Sequence, residues 1–282
     1  MKSLQKSLLE KMLLQLKKPL AFLWKDFISE ASYKLAFLSQ FFGIFITALA
    51  WFFLSNLFGK SVSGHLQAYE GNYFAFVIIG IAFSNYLQVA LRSFSSNIRM
   101  SQTLGTLEAM LVTQTAIPTI IFSSSIYNFL ITSFRVVVYL ILGALFFGLN
   151  MGNANYGAAV IVLLITIVCF SSMGIISASF IMVFKKGNPV NWIFINLSWV
   201  LGGVYYPITI LPDWLEKLAY LLPITYALEA MRLALLNGQS LGSLMPQIIP
   251  LFIFTAVMLP LSLSLFTFAV NRAKIEGSLV QY

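Results

Sequence analysis

The chain has 282 residues, 59% of them hydrophobic and 9% charged, with a mean hydropathy of +0.88. Soluble domains carry roughly 25% charged residues, so these residues cannot cover a water-facing globule and the composition specifies an all-α integral membrane protein. One cysteine, Cys169, and one histidine, His65, exclude a disulfide framework and a multi-histidine metal site, and the net charge of +8 proves below to mark one side of a membrane, not a nucleic-acid surface.

The first residues, "MKSLQKSLLEKMLLQLKK", are basic, but a charge or polar group interrupts every apolar turn. No apolar core of a secretion signal is present, so the stretch reads as mature protein. In "KKPLAFLWKDFISEASYKLAFLSQ", Leu20, Trp24, Phe27, Ile28, Ala31, Leu35 and Leu38 recur at helical spacing, with Lys25, Asp26, Glu30 and Lys34 opposite. One charged and one aromatic-rich face describe a helix lying along the membrane surface; a cytosolic helix packed on a partner is the alternative. Residues 1–34 thus form a cytoplasmic, amphipathic N-terminal region.

A helical span needs about 20 mostly apolar residues. Six stretches qualify, at 35–59, 71–91, 116–149, about 157–184, about 189–211 and about 247–270. The third carries one charge, Arg135, and "KKGNP" ends the fourth. The segments 1–34, 92–115, 185–188 and 271–282 hold 7, 2, 2 and 2 Lys or Arg residues, thirteen together. The opposite loops hold only Lys60, Lys217 and Arg232. Positive charge stays inside, so both termini are expected in the cytoplasm, with 271–282 a cytoplasmic tail and the protein in the inner or plasma membrane.

Two segments between spans have helical character of their own. "SQTLGTLEAMLVTQ", 101–114, is mildly amphipathic and predicts a cytoplasmic helix at about 98–114. "YYPITILPDWLEKLAYLLPITYALEAMRLALLNG" holds two short apolar pieces divided by Pro223 and stopped at Asn237-Gly238. Each is too short to cross alone. A broken hairpin at about 212–236, re-entering the outer leaflet, fits, since such backbone is tolerated where protein or water covers it; two helices flat on the interface are the alternative.

Enzymatic chemistry has no visible residues. "GKS" at 59–61 lacks the upstream glycine of a phosphate loop, the position being Leu54. No acid lies within a span, and membrane carriers that run on protons rely on such groups. The chain therefore reads as a pathway without an engine, and energy should come from a partner. A mid-span arginine costs at least ~2.5–3.5 kcal/mol, so Arg135 either holds an anionic headgroup, phosphate or sugar acid in the pathway, or snorkels to the cytoplasmic interface or pairs with polar span residues such as Asn85 or Gln88. Trp51, Phe52, Tyr205 and Tyr206 lie at outer span ends, as interface anchors or as a lining for cargo. Glu229 and Arg232, three apart, make a local ion pair, or Glu229 dips with the hairpin and helps satisfy an arginine below.

The amphipathic helix before span one, the "GTLEAMLVTQ" helix between spans two and three, and the "PITILPDWL…LLPITYALEAMR" stretch before span six together resemble the ABC-2 type permeases, the membrane subunits of ATP-driven exporters. The drug-resistance and lipo-oligosaccharide branch is the nearer in pattern. The resemblance implies a coupling helix carrying Gly105, Thr106, Leu107 and Glu108 on a cytosolic ATP-binding subunit, with the surface helix at Trp24 touching the same subunit. It also implies two ATP-binding subunits holding ATP and Mg2+, a second permease copy or a paralogue, lipid or glycan-type amphipathic cargo, and no cofactor in this chain. A self-sufficient secondary carrier or channel, and a lipid-directed membrane enzyme, are the competing classes.

Overall fold

A computed structural model describes residues 24, 27, 28, 34–69, 71–105, 117–185 and 189–276. The described elements are helical throughout. Helix α1 spans Lys34–Val62 and passes through a 3-10 turn, Ser63–Tyr69, into α2, Tyr73–Thr103. Helices α3, Ile117–Phe146, and α4, Tyr156–Phe184, follow, then a short α5, Pro189–Leu201. The hairpin is α6, Asp213–Ala219, and α7, Pro223–Leu235, and α8 is Met245–Ile275. A helix of 29–31 residues, as in α1, α2, α3, α4 and α8, is about 45 Å long at 1.5 Å per residue. That exceeds the bilayer's hydrocarbon core.

Side-chain placement agrees with a lipid solvent. Large apolar residues point outward along whole helices, including Phe42, Phe53 and Leu57 on α1 and Phe252, Ile253 and Val257 on α8. In water such faces would be expelled; against lipid they cost nothing. The chain is a multi-pass membrane protein.

The helices form a row in which α2 is the central strut. It packs between α3 and α4, while α8 lies along α4 and α1 lies outside against α2 and α3. Small residues let α2 and α4 touch: a Cβ on Gly174 would overlap the carbonyl oxygen of Ala90 and come within 2.6 Å of Phe94. Close approach of this kind replaces the hydrophobic drive missing between helices in lipid. Span hydroxyls are satisfied within their own helices, Ser95 on Leu91 O, Thr166 on Val162 O and Ser179 on Ile175 O.

A polar clamp ties the start of α5 into this core. The Asn191 amide donates to Leu91 O at 2.9 Å and to Ser95 Oγ at 3.1 Å, both on α2, and accepts from Ser177 Oγ of α4 at 2.5 Å. Interhelical hydrogen bonds in membranes average about 0.6 kcal/mol, so three bonds sharing one side chain predict that Asn191→Leu lowers stability by about 1–2 kcal/mol. Thermal unfolding in detergent measures this, and Ser95→Ala added to Asn191→Leu should cost less than the two separately.

Two expected boundaries move. The second span does not stop near residue 91: nothing between Arg92 and Thr103 breaks a helix, so α2 runs on and the first part of the expected 98–114 helix is its last turns. The fifth span, expected over 189–211, loses its helix at Leu201. Gly202-Gly203 follows, with Gly203 at φ +72, where a side chain is strained. Pro207 and Pro212 are then extended on either side of a 3-10 turn, Ile208–Ile210. Thirteen residues of α5 reach only about 20 Å, short of a full crossing.

The hairpin is bent as expected, with 85° between α6 and α7. It begins at Pro212 with Asp213 and Glu216 in the first turn and restarts at Pro223, the first residue of α7. Of the expected surface helix, Trp24, Phe27 and Ile28 are helical and exposed, with the Trp24 and Phe27 rings stacked at 6.0 Å. Its other residues before Lys34, Thr106, Leu107 and Glu108 of the expected coupling helix, and the tail from 277 lie outside the described residues.

Candidate functional site

The expected site residues fall into separate places. At one end of α2, Gly105 closes the helix at φ +68, its N–H donating to Gln102 O at 3.1 Å. The left-handed turn directs the chain out of α2 toward residues 106–116. At the opposite end, Trp51 of α1 stacks on Tyr205 at 4.9 Å, and Trp199 of α5 lies 5.0 Å from the same ring. Phe52 packs against Phe74 and Phe147, and the Tyr206 hydroxyl donates to Val200 O. The Trp51–Tyr205 stack braces α1 against the break after α5. Neither these aromatics nor Glu229 share a cavity with Arg135.

Arg135 lies in a cavity of about 360 Å3 between α2 and α3, lined also by Asn85, Gln88, Arg92, Asn97 and Asn128. Its Nη2 donates to Gln40 Oε1 of α1 at 2.8 Å. Asn85 and Gln88, the expected partners, line the same cavity, while Gln40 of α1 accepts this hydrogen bond. Among the described residues lining this groove there are two arginines and no acid. From Asn85 to the end of α2 is about 27 Å at 1.5 Å per residue, so the groove extends from mid-helix toward the Gly105 end. The sequence carried a signal for it: Asn85, Gln88, Arg92 and Ser96 recur at spacings of three and four, a polar stripe within the long α2.

A second cavity, of about 400 Å3, lies at the other end, under the hairpin. Arg232 is buried at its base: Nε donates to Phe76 O at 3.1 Å and Nη2 to Gly203 O at 2.8 Å and Val204 O at 3.2 Å. The guanidinium carbon sits 3.4 Å above the Phe76 ring, a cation–π contact. No ion pair joins it to Glu229, the default from their spacing: the carbonyls left unpaired by the break after α5 take the guanidinium. Glu229 instead accepts the Tyr69 hydroxyl. Burial, and then the Glu229 carboxylate, push the Tyr69 phenol well above its ordinary range, so the hydroxyl stays a donor. Glu229 thus lines the cavity under the hairpin, but its hydrogen-bond partner there is Tyr69 and not an arginine.

The long apolar helices, the polar groove between α2 and α3 and the bent hairpin contain no cluster of three metal-ligating side chains among the described residues. No curated protein matches the chain. The family model of the ABC-2 type transporter matches residues 20–236, which takes in Trp24, the segment between α2 and α3 and the whole hairpin; the chain belongs to the ABC-2 type transporter family.

Proposed function

We propose that the chain is the permease subunit of an exporter driven by ATP hydrolysis on a separate subunit, and that its cargo is an amphiphile with an anionic headgroup. The family is one of membrane subunits that generally work with an ATP-binding subunit. One observation carries the mechanism: the walls of the arginine groove, α2 and α3, are the two helices that the 106–116 segment joins. Any push on that segment acts first on the groove. Closure of two ATP-binding subunits, holding ATP and Mg2+, would drive Gly105, Thr106, Leu107 and Glu108 inward and tilt these walls, a rigid-body gating step. Trp24 would lie against the same subunit. A second permease copy completes the path, and both termini face the cytoplasm from the plasma membrane.

In the groove, Arg92 and Arg135 supply N–H donors to a phosphate or carboxylate and the asparagines complete its shell, while the alkyl part stays in lipid. Charge-assisted hydrogen bonds contribute about 1.5–3 kcal/mol, so Arg135→Ala should raise the half-saturating concentration of an anionic lipid about tenfold or more. The check is ATP-dependent movement of fluorescent phosphatidic acid in vesicles holding the full complex, against phosphatidylcholine. Unchanged transport of phosphatidic acid removes Arg135 from the path. Coupling is read separately: Leu107→Asp or Glu108→Lys should abolish co-purification of the ATP-binding subunit without reducing membrane insertion. Movement by the lone chain without ATP would instead establish a secondary carrier.

A further inference from the structure

We infer that the cavity under the hairpin is a binding site for a neutral polyhydroxylated ring, of the hexose class. It is separate from the groove between α2 and α3, and nothing in the inference depends on transport. Its volume, about 400 Å3, lies in the range of small-molecule sites. Its polar groups are few and only partly spent. Glu229 gives Oε2 to the Tyr69 hydroxyl, while Oε1 has no hydrogen-bond partner among the described residues. Arg232 uses Nε and Nη2 on three backbone carbonyls, and Nη1 has no hydrogen-bond partner among the described residues. Gln247 Oε1 is buried at the cavity edge without a partner. The apolar wall is aromatic, with Tyr220 and Tyr226 at 6.0 Å between centroids.

The charges decide the ligand class. One acid and one arginine, with His65 at the exposed rim, line the cavity, so a cation meets Arg232 and an anion meets Glu229, each at a Coulomb cost. Arg232 is already held by three carbonyls and the Phe76 ring, leaving one N–H edge where a carboxylate would want two. A ring bearing adjacent hydroxyls fits all the open valences. One hydroxyl accepts from Nη1, others donate to Glu229 Oε1 and Gln247 Oε1, and the C–H face of the ring lies on the tyrosines. Glu229 and Arg232 are three residues apart on one helix and line the same cavity, so one ring can present hydroxyls to both.

The test is calorimetry on the full-length chain in nanodiscs prepared without sugar detergents, titrated with maltose, gluconate, glucosamine and glycine betaine. Maltose should bind at least about tenfold tighter than the three charged probes. Glu229→Gln and Gln247→Leu should each weaken maltose about tenfold; Gln247 is half-exposed at the cavity edge, so the second variant reads binding without a folding change. Digalactosyl diacylglycerol in the disc then separates sources. Loss of maltose binding in its presence assigns a lipid headgroup, and undiminished binding assigns a free sugar, both within the inferred class. A charged or zwitterionic probe binding as tightly as maltose, maltose affinity unchanged in both variants, or no maltose binding to folded chain at millimolar concentration would overturn the inference.

Discussion

Replacing Arg232 with alanine is expected to cost about 3–5 kcal/mol, the range for stripping a buried, hydrogen-bonded charge from its partners. The guanidinium is 2% exposed and bridges three elements: Phe76 of α2, Gly203 and Val204 at the break after α5, and its own α7. Removing it leaves the Gly203 and Val204 carbonyls facing a void, and burying a bare carbonyl costs about 1–3 kcal/mol. The Phe76 face loses its cation as well. Arg232→Lys should fall between, since one ammonium keeps the charge but lacks the planar fork that reaches three oxygens and stacks on a ring. Unfolding midpoints in detergent, in the order wild type, lysine, alanine, check this. Equal midpoints for wild type and alanine would show that the hairpin is held by other contacts.

A comparable loss is expected at the α2–α4 crossing. Valine at Gly174 would drive its Cβ into Ala90 O and the Phe94 ring, and its two methyls further into α2. The obstacle includes helix backbone, which cannot rotate away, so the helices must separate. Over-packing costs about 1–3 kcal/mol where side chains can give. Valine here should exceed that and reduce the amount of folded protein, with Gly174→Ala intermediate. Separation would also stretch the Asn191 clamp, whose acceptor Leu91 O is one residue from Ala90. Yield and thermal midpoint across Gly, Ala and Val give the reading; a tolerated valine would mean that α2 and α4 are not fixed in register.

Much of the fold was legible because lipid imposes one rule on every span. Charge-free runs found α1, α3, α4 and α8 within a few residues, and Pro212, Pro223 and Asn237-Gly238 marked the hairpin. The short α5 was hidden: residues 189–211 are apolar enough for a span, and only Gly202-Gly203, acting with Pro207, ends the helix. The site was less legible. The polar stripe of α2 can be read at helical spacing, but not the fact that Arg135 crosses to Gln40, 95 residues earlier. Arg232 shows the same limit: the spacing rule offers Glu229, a neighbour on its own helix, whereas its partners lie 28, 29 and 156 residues away. Local patterns cannot name partners that only the assembled bundle creates.

Synthesis order gives the Arg232 contacts a temporal meaning. When the ribosome has just added Gly203, the side chain that will quench the carbonyls of this break is still 29 residues downstream in the unread message. Until then α5 is a stub with raw ends, unsuited to release into lipid. The insertion machinery must therefore retain it beside α2 until α7 emerges, so that the second half of the chain is settled as a block and not helix by helix.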